Sequence, residues 1–172
     1  MAATVVSVWL RESPARVLAG LSALCVGMLL FGMYLQHAVG LEPCPMCIVQ
    51  RYALLLITVI AGLTALARQR NVVVSGSVLL VLVSGFGAFV AARQSWLQWY
   101  PPEVATCGRD LYGMIENFPL QRVIPMIFKG SGDCTVVDWT FLGGSIANWS
   151  FLTFMGITCL ALALIWQQVR KS

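Results

Sequence analysis

Polar residues are sparse along this chain, and between them run four apolar stretches, Ala15 to Tyr34, Ile48 to Ala67, Val72 to Ala92 and Trp149 to Trp166. Each approaches the ~20 residues that a helix needs to cross the hydrocarbon core of a bilayer. The pattern predicts four transmembrane helices, with external connections at about 35–47 and 93–148 and a tight turn between helices two and three. The first stretch is too long for the apolar core of a signal peptide.

Charge placement gives these helices a direction. Arg11 and Arg16 stand at the start of the first, Arg68 and Arg70 in the tight turn, and Arg170 and Lys171 after the fourth. Basic residues collect on the cytoplasmic side, so these three segments are expected to face the cytoplasm. The segment from Gln36 to Cys47 has no Lys or Arg and is expected on the opposite side with the long connection. Trp96, Trp99, Tyr100 and Trp139 near the membrane ends of that connection suit the headgroup layer, and Trp149 and Trp166 bracket the fourth helix. Between Leu120 and Lys129 the apolar spacing fits a short helix on the membrane surface, bent or ended by Pro125. Gly62, Gly85, Gly87 and Gly156 are positions where helices can approach closely. No internal repeat or soluble domain appears, so residues 1–172 read as one all-α membrane domain, a four-helix antiparallel bundle.

Composition supports the same class. Hydrophobic residues make up 59% of the chain and charged residues 10%, with a mean hydropathy of +0.82, too little polar surface for an ordinary soluble globule. The net charge of +4 falls in short clusters between apolar runs, a pattern of membrane orientation and not of nucleic-acid binding.

Six cysteines divide by setting. Cys25 and Cys159 lie inside apolar runs, where a thiol behaves as a small hydrophobe and is expected to pack. Cys44, Cys47, Cys107 and Cys134 lie in connecting segments that share the external, oxidising compartment. Cys44-Pro45-Met46-Cys47 stands where the first external connection turns into helix two, and a helix N-terminus stabilises thiolate. Arg51, four residues after Cys47, falls on the same helical face and can stabilise a thiolate or an anionic ligand.

A lone CxxC is also half of a zinc site or a plain structural bridge. Membrane-interface position and Arg51 favour redox chemistry. The separation of Cys107 from Cys134 can be closed by a disulfide and resembles no compact metal knuckle. That pair is either a structural bridge or the second station of an electron relay. Zinc held by all four cysteines is the competing possibility, disfavoured in an oxidising compartment, and no metal is expected. His37, the only histidine, reads as a polar helix-end residue. Asp133 beside Cys134 either disfavours thiolate there or shapes the turn.

Several strings together resemble the DsbB family of bacterial disulfide bond formation proteins, over nearly the whole chain. They are Gln36-His37, Pro43-Cys44-Pro45-Met46-Cys47 with Arg51, Leu97-Gln98-Trp99-Tyr100-Pro101 through Ala105-Thr106-Cys107, Ser131-Gly132-Asp133-Cys134, and Trp139-Thr140-Phe141-Leu142-Gly143.

The resemblance implies a quinone-dependent dithiol oxidoreductase of the bacterial inner membrane, with a ubiquinone or menaquinone bound near Cys47 and Arg51. It implies that a reduced DsbA-like thioredoxin-fold partner in the periplasm attacks Cys107, whose pair is Cys134. Cys44 then exchanges with the loop pair, and Cys47 faces the quinone while Arg51 holds its ring oxygen. Gln94 falls where the best-studied members carry a histidine beside the quinone. Glutamine can donate a hydrogen bond but cannot relay a proton, so Gln94 is expected at most to bind the ligand. The vitamin K epoxide reductase-like family shares the ingredients but places its loop pair before the CxxC. A non-enzymatic membrane scaffold or metal carrier would be inert to a dithiol partner and would hold no quinone.

Overall fold

The structure, a computed structural model, describes residues 13–41, 43–67, 69–101, 137 and 139–170. The interfacial helix expected at 120–129, and Cys107 and Cys134, lie outside the described residues.

Four long helices, α1 (Pro14–Ala38), α2 (Pro45–Ala67), α3 (Arg70–Trp99) and α4 (Ile146–Val169), are each long and apolar enough to cross a membrane. Pro14 opens α1, where a missing N–H costs nothing. At its far end Gly40, with φ +78°, lets the Leu41 N–H reach back to the Leu35 carbonyl at 3.2 Å. Contacts between neighbours run in opposite directions along each pair. Ser22 and Gly32 of α1 meet Thr58 and Arg51 of α2, Gln50 and Thr64 of α2 meet Gln94 and Gly76 of α3, and Gly87 and Ser84 of α3 meet Phe154 and Thr158 of α4. The bundle is therefore antiparallel, with Cys44 at one end.

One core joins all four helices, including Leu18 and Cys25 of α1, Ile57 of α2, Leu80 of α3, and Phe154 and Leu164 of α4. The outward faces are also apolar, with Leu30, Leu63, Leu82 and Leu162 exposed. Helices apolar all round need lipid as their outer solvent, so the chain is a multi-pass membrane protein. Hydroxyls tie helix to helix within it: Ser22 Oγ donates to the Thr58 carbonyl at 3.0 Å, and Ser84 and Thr158 hydroxyls lie 2.8 Å apart.

At the Cys44 end of the bundle the helices are longer than the hydropathy pattern predicts. The third was expected to stop at Ala92 but continues to Trp99, and the fourth starts at Ile146 rather than Trp149. The connection between α1 and α2 shrinks to 39–44. Polar residues ended the apolar runs without ending the helices, because Gln94 and Ser95 turn inward and are buried. Before α4, a hairpin not foreseen from the sequence pairs β1 (Thr140–Phe141) with β2 (Gly144–Ser145). Its turn places Leu142 at φ 50° and Gly143 at φ 80°, both left-handed, as a two-residue turn of this twist requires.

Two packing expectations change. Cys159 is exposed on the outer face of α4 and does not join the core, whereas Cys25 does. Gly85 and Gly156 have nothing near their missing side chains, while Gly87 faces the Phe154 ring and Gly76, not singled out before, faces Thr64. A Cβ at position 87 would lie 2.5 Å from Phe154 Cε1. Gly87→Ala is expected to lower stability by about 1–3 kcal/mol, read as a lower melting temperature in detergent, with Gly85→Ala as the near-neutral control.

Candidate functional site

The CxxC motif folds as a helix start. Pro45 opens α2, leaving Cys44 in the N-cap position, where its carbonyl accepts the Ile48 N–H at 3.1 Å. Its sulfur does the work of a capping oxygen, accepting the Cys47 backbone N–H at 3.3 Å. The first turn then returns Cys47 to the same face, with its Sγ 2.7 Å from Cys44 Sγ. Cys44 is buried and Cys47 half-buried. Negative charge on either sulfur is favoured by the helix N-terminus beneath it.

Gln94 of α3 faces this pair. Its Nε2 lies 3.3 Å from Cys44 Sγ and 3.3 Å from Cys47 Sγ, and its Oε1 accepts from Gln50 Nε2 at 2.7 Å. Both glutamines are 4% exposed, so this network is their substitute for water.

Arg51 is directed across to α1, donating from Nη1 to Gln36 Oε1 at 2.5 Å and from Nη2 to the Gly32 carbonyl at 3.0 Å. A Cβ on Gly32 would lie 3.7 Å from Arg51 Nε, so any larger side chain there would press on the guanidinium. All seven Asp and Glu residues of the chain lie outside the described residues.

These groups line one side of a cavity of about 740 Å³. Leu24, Met28 and Phe31 of α1 and Ile146 and Trp149 of α4 form its apolar walls, and Cys44, Cys47, Arg51 and Gln98 its polar end. Helix α1 packs on α2, α2 on α3 and α3 on α4, whereas among the described residues α1 and α4 share no comparable seam. The cavity occupies that gap, and exposed Leu24 and Phe31 open it towards lipid.

The hairpin closes the edge of the cavity at the Cys44 end of the bundle. Trp149 Nε1 donates to the Phe141 carbonyl at 2.9 Å, Trp139 stacks on Phe141 with centroids 6.0 Å apart, and Phe31 meets Trp139 edge-on at 6.1 Å. Ser145 caps α4 by accepting the Asn148 N–H at 3.4 Å and donates its own proton to Gln98 Oε1 at 2.6 Å.

A sequence model of the family described as disulfide bond formation protein DsbB matches residues 14–164, from the first residue of α1 to within α4. The chain belongs to the DsbB family. It is similar to disulfide bond formation protein B of Albidiferax ferrireducens, 66% identical over 171 residues, covering 99% of this chain and 98% of the relative. The protein of the same name from a Polaromonas species is 70% identical over 158 residues, covering 92% and 94%. That from an Azoarcus species is 54% identical over 145 residues, covering 83% and 87%.

Of the site residues expected in this DsbB-family chain, the fold gathers Cys44, Cys47, Arg51 and Gln94 around one cavity. His37 is exposed in the last turn of α1 and is not among the cavity's lining residues. Gln50 is the residue that sequence reasoning passed over. Its signal was there, an uncharged polar residue in the apolar run of α2, three positions after Cys47 and hence on its face.

Proposed function

We propose that this chain is a disulfide-generating oxidoreductase of the bacterial inner membrane, which reoxidises a periplasmic DsbA-like protein and passes the electrons to a membrane quinone. The observation that carries this reading is the opening of the Cys44 and Cys47 pair onto a lipid-facing apolar cavity of about 740 Å³ with Arg51 at its polar end. Ligand pockets run to ~300–1,000 Å³, mostly apolar with a few placed polar groups. A flat carbonyl-bearing ring with an apolar tail fits that description: Arg51 and Cys47 would hold the ring end, and the walls running down α1 to Leu24 would hold the tail.

A quinone bound there supplies a two-electron acceptor. The rest of the chemistry belongs to the chain. The partner's thiolate attacks Cys107 of a Cys107–Cys134 disulfide, and the partner's second thiol resolves the mixed disulfide, leaving both loop cysteines reduced. A loop thiolate then attacks Cys44 of the Cys44–Cys47 disulfide, and Cys47 leaves with the bonding electron pair. Closure of Cys107 with Cys134 frees Cys44, so two electrons have moved from the partner to the CxxC pair. Cys47, the more open of the two sulfurs, faces the cavity, and Arg51 stabilises negative charge developing there. With both termini cytoplasmic, all four cysteines share the periplasmic side. The basic ends Arg16, Arg70 and Arg170 support this, since they sit at the opposite end of the bundle from Cys44.

The test is anaerobic turnover of the detergent-solubilised protein with a reduced thioredoxin-fold periplasmic dithiol protein and added quinone. Two partner thiols are expected to be lost per quinone reduced. Absence of quinone reduction with several such partners would overturn the proposal.

A further inference from the structure

The Gln94 amide is committed to sulfur. Its two N–H groups are the only donors it has, and Nε2 lies 3.3 Å from both Cys44 Sγ and Cys47 Sγ. An amide can turn over, and the reversed form would set Oε1 against the sulfurs, where it repels thiolate. Gln50 bears on the choice. Its Nε2 donates to Gln94 Oε1 at 2.7 Å, a bond that a reversed Gln94 amide loses unless Gln50 turns over with it. We infer that Gln94 is a shared hydrogen-bond donor that favours the reduced Cys44 and Cys47 pair, and that Gln50 is a positioning residue that locks the donor towards the sulfurs.

This inference rests on the redox reading of the CxxC pair and deepens it. When Cys44 Sγ is attacked, the Cys44–Cys47 bond breaks and Cys47 Sγ takes the electron pair. The N–H already beside it meets the new charge without rearrangement, and a hydrogen bond to a charged acceptor is stronger than one to a neutral disulfide sulfur. Because Gln94 touches both sulfurs, the donor serves whichever of the two holds the charge. Both glutamines are buried, which limits the competition of water for these bonds. Arg51 acts elsewhere: the bonds that orient it run to Gln36 and Gly32 on α1, and it is not part of this switch.

The test needs neither partner nor quinone, so its failure is separate from failure of the proposed function. In a full-length Cys107→Ser/Cys134→Ser background, the Cys44–Cys47 pair is equilibrated with glutathione, two glutathione thiols reducing one disulfide, and the fraction reduced is read by mass spectrometry after trapping. Gln94→Met is expected to shift the equilibrium towards the disulfide by roughly tenfold. Gln50→Met is expected to shift it the same way by less, and the double variant no further than Gln94→Met alone, because Gln50 acts through Gln94. Gln94→His, read at pH 8 where neutral imidazole keeps an N–H, is expected to stay within about threefold of the parent. Gln94→Met or Gln50→Met equal to the parent would overturn the inference. So would a double variant whose shift is the product of the two single shifts. If Gln94→Met is not monodisperse, the Gln50→Met and Gln94→His results decide by the same criteria.

Discussion

Replacing Cys47 with serine is expected to lower quinone-linked oxidation of a dithiol partner by roughly a thousandfold or more, with the fold intact. Serine is close in size, and the Cys44 cap is made with the position 47 backbone N–H, which the substitution keeps. The sulfur 2.7 Å from Cys44 is lost, and with it the means of holding two electrons as a reduced pair. In the proposed relay, partner chemistry at the loop does not need Cys47. In a single turnover the variant is therefore expected to oxidise about one partner dithiol per chain, from a Cys107–Cys134 disulfide, and then stop. Rapid quenching with thiol trapping reads the burst, and absorbance reads the quinone. Continued turnover at the parental rate would remove Cys47 from the electron path. Absence of the burst would remove the loop pair as first acceptor.

The two outcomes separate because the proposed relay uses two cysteine pairs in turn. The CxxC pair is built into a helix start, with the cap, Pro45 and the first turn fixing both sulfurs. Such a site is legible in sequence, since proline after the first cysteine and an apolar run after the second state where α2 begins. The four spans were legible for a related reason: lipid demands ~20 apolar residues whatever the packing inside. Helix ends were not, because Arg93 and Gln94 end an apolar run while α3 continues to Trp99, and only the packed bundle shows Gln94 turned inward.

Rotation about a helix axis limited the rest. Gln50 and Gln94 are 44 residues apart, and their bond exists only because α2 and α3 present those two faces to each other. In helices apolar all round, the pattern carries little about which face turns inward. The same limit explains why Gly87 rather than Gly85 meets Phe154, and why Cys159 faces outward while Cys25 is buried. The hairpin at Thr140 to Ser145 escaped for want of length, its strands being two residues each, too short for any alternation to register. Trp139 and Trp149, which flank the hairpin and were read as membrane anchors, also hold the cavity's edge together.

Arg51→Met is expected to leave the partner-to-loop burst unchanged and to raise the quinone KM by about 10–100-fold, the worth of one charge-assisted hydrogen bond of ~1.5–3 kcal/mol. Methionine fills a similar unbranched volume, so the cavity keeps its shape while losing its cation. Two further losses follow on α1, where the Gly32 carbonyl and Gln36 Oε1 give up their donors from Arg51. The half of the cavity wall nearest the cysteines then loosens, which adds to the effect on binding and leaves thiol exchange at the loop alone. Arg51→Lys is expected to recover only part of the loss. An ammonium is a compact point charge, whereas the guanidinium fork reaches two α1 acceptors from separate nitrogens and still presents its charge to the cavity. Steady-state kinetics with quinone varied at saturating partner distinguish these results. A KM within twofold of the parent in Arg51→Met would show that ligand binding does not depend on this cation, and would reduce Arg51 to a tie between α1 and α2.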